Sequence, residues 1–266
     1  MNKKFISGGC SFTFGHELSD DDNGKTPSKQ SWAYLLKASP TVEYICSAKA
    51  GSGNPGIARR VFEAVASHTD IECVVVMWSF LSRYDWAMPR HKSLENTRWA
   101  TITPWDTSSG QAEVFRELSG SEPQQESWKY QRELLKETGV HEFADVIYRS
   151  AANQYHELYL SWKSIIWLQN ILEKKKIPFM FTLADNSLFY DEMTLHSEKD
   201  RLMKALYNEI DFTKWVSFGE RMMGFNQWAS LNDYKKGVTH PLDKAHRDAV
   251  KLMLPKFREI IGGKNV

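Results

Sequence analysis

A serine and a histidine far apart in the chain have the residue types that acyl-transfer chemistry needs. Ser11 lies in a turn-rich segment, residues 9–15, that reads Gly-Cys-Ser-Phe-Thr-Phe-Gly, and His240 directly precedes a predicted helix near the end of the chain. A serine hydroxyl becomes a nucleophile when a neighbouring base takes its proton, and histidine serves as such a base. A serine in a turn is more often structural, so the pair is a hypothesis that depends on the fold.

A glycine-rich segment, residues 51–56, reads Gly-Ser-Gly-Asn-Pro-Gly and has the spacing of a dinucleotide-binding loop. That fingerprint should follow the first strand of a sheet, and an acidic residue should follow the next strand. Here the segment follows the second predicted strand, and Trp78 and Ser79 stand where the acidic residue is expected. We therefore interpret the glycines as positions where backbone N–H groups approach an oxyanion, and nucleotide binding is kept as an alternative.

The hydrophobic pattern predicts strands and helices in alternation. The predicted strands are 4–7, 42–46, 71–78, 177–183 and 214–218, and the predicted helices are 31–37, 57–67, 141–175 and 243–261. The valine-rich run 71–78 is typical of a strand covered on both faces in a parallel sheet.

This alternation predicts a single three-layer α/β domain over residues 1–266, with a parallel sheet of about five strands flanked by helices. Right-handed crossovers place the carboxyl ends of parallel strands on one edge of the sheet, where ligands bind. We therefore expect Ser11, Gly51, Ser79 and His240 to converge at that edge.

The pattern breaks between residues 86 and 140, after the third predicted strand. Prolines and a Thr-Ser-Ser-Gly segment interrupt the hydrophobic periodicity that would indicate a helix or a strand. Four tryptophans lie in this segment: Trp86, Trp99, Trp105 and Trp128. We interpret 86–140 as an insertion or cap within the domain, because long loops near strand ends tend to be lids or binding elements. Its aromatic side chains could also hold a sugar or a partner protein.

The composition narrows the classes of partner. A formal charge of +1 lacks the basic excess that nucleic-acid binding draws on. We expect no membrane partner and a cytoplasmic location, because no signal-peptide pattern and no long apolar run is visible.

The three cysteines have no Cys-x-x-Cys spacing, which favours a reduced protein without a zinc site. The acidic run at 20–22 is interpreted as a solvated loop, because it lacks the closing Glu of a calcium loop. The sequence leaves the oligomeric state open.

The order of these motifs resembles the SGNH (GDSL-type) hydrolase superfamily, in its divergent bacterial and bacteriophage branch with a Gly-Cys-Ser first block. The resemblance spans nearly the whole chain. It is carried by residues 9–15, by Trp32, by residues 48–54 (Ala-Lys-Ala-Gly-Ser-Gly-Asn), by residues 74–79 as the third strand, and by His240-Pro241 with His246.

The resemblance implies a flavodoxin-like fold and an esterase activity without a cofactor or metal. Ser11 matches the nucleophile and His240 matches the base. Gly51 matches the glycine whose N–H, with that of Ser11, donates to the oxyanion. The implied substrate is a small-molecule or glycan ester, an acyl or acetyl ester of a carbohydrate or lipid-like molecule.

The chain departs from the family pattern at two positions. The family has an aspartate three residues before the histidine, where this chain has Gly237, and an asparagine-containing block after the third strand, where this chain reads Trp-Ser-Phe-Leu-Ser-Arg. We therefore expect a Ser11–His240 dyad or an incomplete triad. The possible orienting groups for the histidine are Asp233, Asp243 or a backbone carbonyl, and the possible third oxyanion donors are Ser79 and Asn54. A binding or structural protein that keeps the fold without catalysis is the alternative.

Overall fold

A computed structural model describes residues 3–37, 39–88, 99–110, 133, 136–189 and 200–262. The chain divides into two compact units, Met1–Leu81 with Leu158–Val266, and Ser82–Glu157. Much of the predicted insertion, including Trp128, lies outside the described residues. Within the described part, no helix combines the length and apolar character needed to cross a membrane.

The strands of the described residues form two sheets. They are β1 (Lys4–Gly8), β2 (Glu43–Cys46), β3 (Ile71–Trp78), β4 (Tyr84–Ala87), β5 (Trp99–Ile102) and β6 (Phe179–Leu183). The first unit contains a parallel sheet in the order β2-β1-β3-β6, and β4 pairs with β5 antiparallel in the second unit. The described α-helices are α1 (Ser11–Phe14), α2 (Trp32–Leu36), α3 (Asn54–Ser67), α4 (Val140–Ser150), α5 (Gln154–Lys174), α6 (Arg201–Asn208), α7 (Phe225–Leu231) and α8 (Asp243–Ile260).

Strand β3 is the buried centre of the parallel sheet. Its residues Cys73, Val75 and Met77 join one hydrophobic cluster, and Val74, Val76 and Trp78 join the other, so both faces of the sheet are covered. The α/β class with a parallel sheet flanked by helices is therefore confirmed. Strand β6 is the fourth strand of this sheet along the chain. The order β2-β1-β3-β6 is therefore 2-1-3-4, which matches the start of the flavodoxin-like order.

The predicted fifth strand, 214–218, is wrong as a strand within the described residues. A 3₁₀ helix, Phe212–Lys214, occupies its start. Only an isolated parallel bridge between Phe181 and Trp215 continues the sheet there. The Val216 N–H donates to the Phe181 carbonyl over 2.9 Å, and the Thr182 hydroxyl donates to the Val216 carbonyl over 2.8 Å. The segment is too short to form a ladder after the helical turn.

The predicted long helix 141–175 is divided into α4 and α5. The N–H groups of Ala151 and Ala152 both donate to the Ile147 carbonyl, which ends α4. The Asn153 side chain then accepts the N–H of His156 over 2.8 Å, as an N-cap of α5 does. The hydrophobic stripe continues across the break, which is why periodicity alone did not reveal it.

The second unit, Ser82–Glu157, is wider than the predicted insertion at both ends. The Tyr148 hydroxyl on α4 donates to the carbonyls of Ser82 and Ile102, which joins the helix to β5. The ring of Phe143 packs against Trp86 with centroids 5.2 Å apart. Helix α4 therefore packs within this unit, beyond the predicted boundary at residue 140.

Helix α8 is fixed in the first unit by a buried histidine. His246 is 1% exposed, and its Nδ1 accepts the backbone N–H of Trp32 at the start of α2 over 3.0 Å. Phe225 packs against the same ring, with centroids 4.8 Å apart. Burial, with a smaller contribution from His240, lowers the pKa of His246 to about 3, so the ring is neutral in the native protein. His246 is therefore a structural residue.

The buried His246 makes stability depend on pH. Between its unfolded pKa near 6.5 and its native pKa of about 3, the unfolded chain binds a proton that the folded chain excludes. We expect the free energy of unfolding to fall as the pH falls through this window, by up to about 1.4 kcal/mol per pH unit from this group. Urea unfolding of the wild type and His246→Asn, which keeps an acceptor oxygen, checks this. Equal pH slopes in the two proteins would contradict it.

Candidate active site

Ser11 lies at the first residue of α1, directly beyond the carboxyl end of β1. Two glycines allow the chain to turn there. A Cβ on Gly8 would collide with the Val61 side chain, and a Cβ on Gly9 would collide with Thr13. The close packing therefore places the serine at the edge of the sheet, 7% exposed. As the first helical residue, its N–H has no intrahelical acceptor.

His240 is presented by a short loop between α7 and α8. Lys236 and Pro241 form an antiparallel bridge, and the Gly237 N–H donates to the His240 carbonyl over 2.9 Å. The Leu242 N–H donates to the Lys235 carbonyl over 3.0 Å. These bonds hold the loop in a narrow turn with the imidazole at its end.

The structure brings the predicted serine and histidine together. His240 Nε2 lies 2.7 Å from Ser11 Oγ, although the residues are 229 positions apart. The Phe12 ring packs edge-on against the imidazole, with centroids 4.7 Å apart. The His240 side chain is 12% exposed. A hydrogen bond of this length is the geometry that proton transfer from the hydroxyl to the imidazole requires.

A glutamate that the sequence did not single out contacts the other side of the imidazole. Glu17 Oε2 lies 3.4 Å from His240 Nδ1 and accepts the backbone N–H groups of His240, at 2.9 Å, and Thr239, at 3.0 Å. The Thr239 hydroxyl lies 2.8 Å from the same Nδ1 and donates to Glu17 Oε1 over 3.3 Å. Nδ1 therefore faces a hydroxyl and a carboxylate.

The surroundings of Glu17 keep it ionised. Burial by itself would raise its pKa, but hydrogen bonds from the His240 side chain and from the backbone N–H groups of His240 and Thr239 outweigh it and lower the pKa to about 2. The carboxylate is consequently charged over the whole pH range in which an imidazole can act as a base.

The two aspartates predicted as orienting groups lie elsewhere. Asp243, the first residue of α8, accepts the backbone N–H of Ser19 through Oδ1 over 3.1 Å. Asp233 is exposed in the turn after α7, with a left-handed φ of 53°. Within the described residues, the carboxylate that contacts the His240 ring is that of Glu17. The sequence prediction assumed an acid close to the histidine in the chain, whereas the acid comes from the loop after α1.

The acidic run 20–22 builds that loop. Asp21 accepts the N–H groups of Glu17 and Gly24 over 2.8 and 2.9 Å, and Asp22 accepts those of Lys25 and Thr26 over 2.9 and 2.8 Å. These carboxylates bind the backbone of their own loop, which fixes the position of Glu17. Among the described residues, no group of three or more His, Cys, Asp or Glu side chains is arranged to hold a metal ion.

The glycine-rich loop lies beside the serine turn. The Lys49 N–H donates to the Gly9 carbonyl over 3.2 Å, and Gly51 has a left-handed φ of 73°. Arg60 on α3 donates to the Ser47 carbonyl over 3.1 Å and to the Ser52 hydroxyl. The loop that carries Gly51 is thus held from both sides next to the turn that carries Ser11.

Asn54 and Ser79, the predicted third oxyanion donors, are bonded to each other. The Ser79 N–H donates to Asn54 Oδ1 over 2.7 Å, and Asn54 Nδ2 donates to the Ser79 carbonyl over 3.2 Å and to Ser161 Oγ over 3.0 Å. One hydrogen of the Asn54 amide and the N–H of Ser79 are therefore committed to this contact, and the other amide hydrogen is committed to Ser161. The pair fastens the chain after β3 to the start of α3, and an oxyanion role for the Ser79 hydroxyl stays a prediction.

A second histidine near the site was not found from the sequence. His16 lies with its ring 6.2 Å from the His240 ring, centroid to centroid, and packs edge-on against Phe14. Burial lowers its pKa, Asp21 raises it by less, and the net direction is below the ordinary value. The lowered pKa favours the neutral form of His16, which keeps a second cation away from a protonated His240.

No protein-family model matches the sequence, and no curated protein matches it. Solved structures do match over nearly the full length. A lipolytic protein of the G-D-S-L family from Veillonella parvula is 12% identical, with 97% of each chain covered and a TM-score of 0.42. A psychrotrophic esterase from a Pseudoalteromonas species is 10% identical, with 97% of each chain covered and a TM-score of 0.46.

A carbohydrate acetylesterase family member from Sinorhizobium meliloti is 11% identical, covers 98% of this chain and 99% of its own, and has a TM-score of 0.44. The G-D-S-L family is the one that the sequence motifs resemble. Identities and TM-scores this low do not carry an activity from one protein to another. The fold and the paired serine and histidine define an α/β protein with a candidate serine-hydrolase site, and its function has to be inferred from its own residues.

The structural role of Asn54 predicts how much stability the protein loses when its side chain is removed. Asn54→Ala leaves the N–H and carbonyl of Ser79 buried without their partner, which we expect to lower the free energy of unfolding by about 1 to 3 kcal/mol. Ser161→Ala removes only one of the three bonds and should cost less. Urea unfolding of both variants measures the difference. An Asn54→Ala protein as stable as the wild type would contradict this structural role, and Asn54 would again be a candidate oxyanion donor.

Proposed function

We propose that this protein is an SGNH-type serine hydrolase that cleaves esters with Ser11 as nucleophile and His240 as general base. The observation that supports it most directly is the 2.7 Å distance between His240 Nε2 and Ser11 Oγ at the carboxyl edge of the parallel sheet. This edge is where open α/β sheets bind their ligands.

The first half of the reaction forms an acyl-enzyme. His240 Nε2 takes the proton of the Ser11 hydroxyl while Oγ attacks the carbonyl carbon of the ester, and the carbonyl oxygen becomes a tetrahedral oxyanion. The backbone N–H groups of Ser11 and Gly51 are the proposed donors to that oxyanion. The intermediate then expels the alcohol, which receives its proton from the His240 imidazolium.

The second half reverses these roles with water. His240 removes a proton from a water molecule, whose oxygen attacks the acyl carbon on Ser11. A second oxyanion forms at the same donors and collapses to release the carboxylic acid, and the proton returns to Ser11 Oγ from His240. Every proton in the two halves moves between Ser11, His240, the departing alcohol and water, so the reaction needs no further reactant. The proposed substrate is an acyl or acetyl ester of a carbohydrate or lipid-like molecule, in line with the family resemblance.

The alternative function is that of a non-catalytic binding protein. It is favoured by the exposed tryptophans of the second unit, where Trp86 is 50% and Trp105 39% exposed. Large aromatic faces in contact with solvent are a common basis for sugar or protein contacts. A protein of this kind would bind its ligand equally well with Ser11 replaced by alanine and would turn over no ester.

Turnover of short-chain aryl esters and acetylated sugars separates the two functions. We expect Ser11→Ala and His240→Ala to lower kcat by roughly 1000-fold or more, because a nucleophile and its base act as a unit. Ser19→Ala and His68→Ala, in a neighbouring loop and at the end of α3, are matched controls and should retain wild-type turnover.

The absence of turnover on every ester, together with no fluorophosphonate labelling of the wild type across roughly pH 6 to 9, the range where an imidazole can serve as base, would remove the hydrolase proposal. Equal turnover by the wild type and Ser11→Ala would also contradict it, because the nucleophile would then be another group.

A further inference from the structure

The family pattern that the sequence resembles has an orienting aspartate three residues before the histidine, and this chain has Gly237 at that position. Gly237, three residues before the histidine, has no side chain, and its φ lies outside the left-handed region. The reason for a glycine there is space, because a Cβ on Gly237 would overlap Glu17 Oε2. The three atoms nearest to that position all belong to the Glu17 side chain. The Glu17 carboxylate thus fills the volume that a side chain at residue 237 would occupy.

Glu17 itself is held in an unfavourable backbone conformation. Its φ is 66°, in the left-handed region, where a residue with a long side chain is uncommon and glycine is preferred. Asp21 holds this turn by accepting the Glu17 N–H over 2.8 Å. A conformation of this kind persists where the surrounding structure enforces it, and it is a recognised feature of functional sites.

We propose that Glu17 is the positioning residue for His240, a carboxylate supplied by the loop after the nucleophile helix in place of one from the histidine's own loop. This inference rests on the proposed function and identifies the group that prepares its base. Glu17 and the Thr239 hydroxyl both face Nδ1, so the imidazole proton resides on Nδ1 and the Nε2 lone pair faces Ser11.

The electrostatic consequence appears during the reaction. When His240 takes the serine proton, its ring becomes a cation, and the ionised carboxylate 3.4 Å away stabilises it. The neighbouring Thr239 hydroxyl accepts from Nδ1 and donates to the other carboxylate oxygen of Glu17. Since Glu17 also binds the backbone of Thr239 and His240, it fixes both the position and the tautomer of the base.

The test replaces and then relocates the carboxylate. In Glu17→Gln the amide oxygen stays on the backbone N–H groups of Thr239 and His240, so the NH2 group faces the Thr239 hydroxyl. That hydroxyl then donates to Nδ1 and favours the tautomer with its proton on Nε2, and the negative charge is lost. We therefore expect kcat to fall by roughly 100- to 10,000-fold. KM should stay nearly unchanged, because Glu17 lies on the Nδ1 side of the imidazole, whereas Ser11 lies on the Nε2 side. Glu17→Gly removes the charge and also the backbone strain, and it should lose activity to a similar extent. Glu63→Gln, an exposed glutamate on α3 outside the site, is the matched control and should keep wild-type kcat.

The double variant Glu17→Gly with Gly237→Asp moves the acid to the histidine loop. The glycine at 17 removes the overlap, so the aspartate has room to face Nδ1. We expect at least about a tenfold recovery of kcat relative to Glu17→Gly, since an acid in this position is worth several orders of magnitude. Gly237→Asp alone, with Glu17 still present, should not gain activity. Thermal unfolding and circular dichroism identify any variant that fails to fold.

The ¹⁵N chemical shifts of the His240 imidazole provide a readout that does not require catalysis. An Nδ1–H tautomer in the wild type that is lost in Glu17→Gln supports the proposal, even if no ester is cleaved. Identical tautomers in the two folded proteins overturn it. If the wild type hydrolyses esters through Ser11 while Glu17→Gln and Glu17→Gly retain its kcat, the positioning role fails and the proposed function stands.

Discussion

The candidate site depends on one carboxylate that joins two distant loops. Glu17 accepts the backbone N–H groups of Thr239 and His240 and contacts the imidazole, so the loop after α1 and the histidine loop hold each other in place. A partly buried carboxylate is stable as an anion only where donors surround it, and here the histidine loop supplies them. These bonds hold His240 Nε2 2.7 Å from Ser11 Oγ, and catalysis by positioning requires such a fixed geometry.

The sheet and its helices place these two loops at the same edge. The parallel order β2-β1-β3-β6 puts the ends of β1 and β2 side by side, so the serine turn and the glycine loop are neighbours. Helix α8 fixes the histidine loop from the other side, because His246 binds the start of α2 and Asp243 binds the loop that carries Glu17. Core packing and site geometry thus rely on the same few polar contacts between α8 and the amino-terminal part of the chain.

The sequence was sufficient for the four strands of the parallel sheet and for the expectation that Ser11 and His240 meet, because buried strands carry a strong apolar signal and parallel topology fixes which loops meet. It missed β4 and β5 and wrongly predicted a strand at 214–218. It was insufficient for Glu17. Four acidic residues occur within six positions, 17–22, and only the folded turn, with its left-handed φ at Glu17, shows which of them reaches His240. The one available signal was Gly237, whose missing side chain leaves room for an acid from elsewhere. The Asn54–Ser79 contact depends on tertiary hydrogen bonds, and the break between α4 and α5 depends on local capping bonds. Periodicity records neither of them.

The most direct measurement asks whether Ser11 is the nucleophile and His240 its base. The wild type reacts with an activated ester, the reaction is quenched rapidly, and the trapped acyl group is located by peptide mapping. We expect an initial burst of released alcohol and an acyl adduct on the peptide that contains Ser11, both absent from Ser11→Ala. An adduct on another residue, or ester hydrolysis that proceeds unchanged in Ser11→Ala, would contradict it.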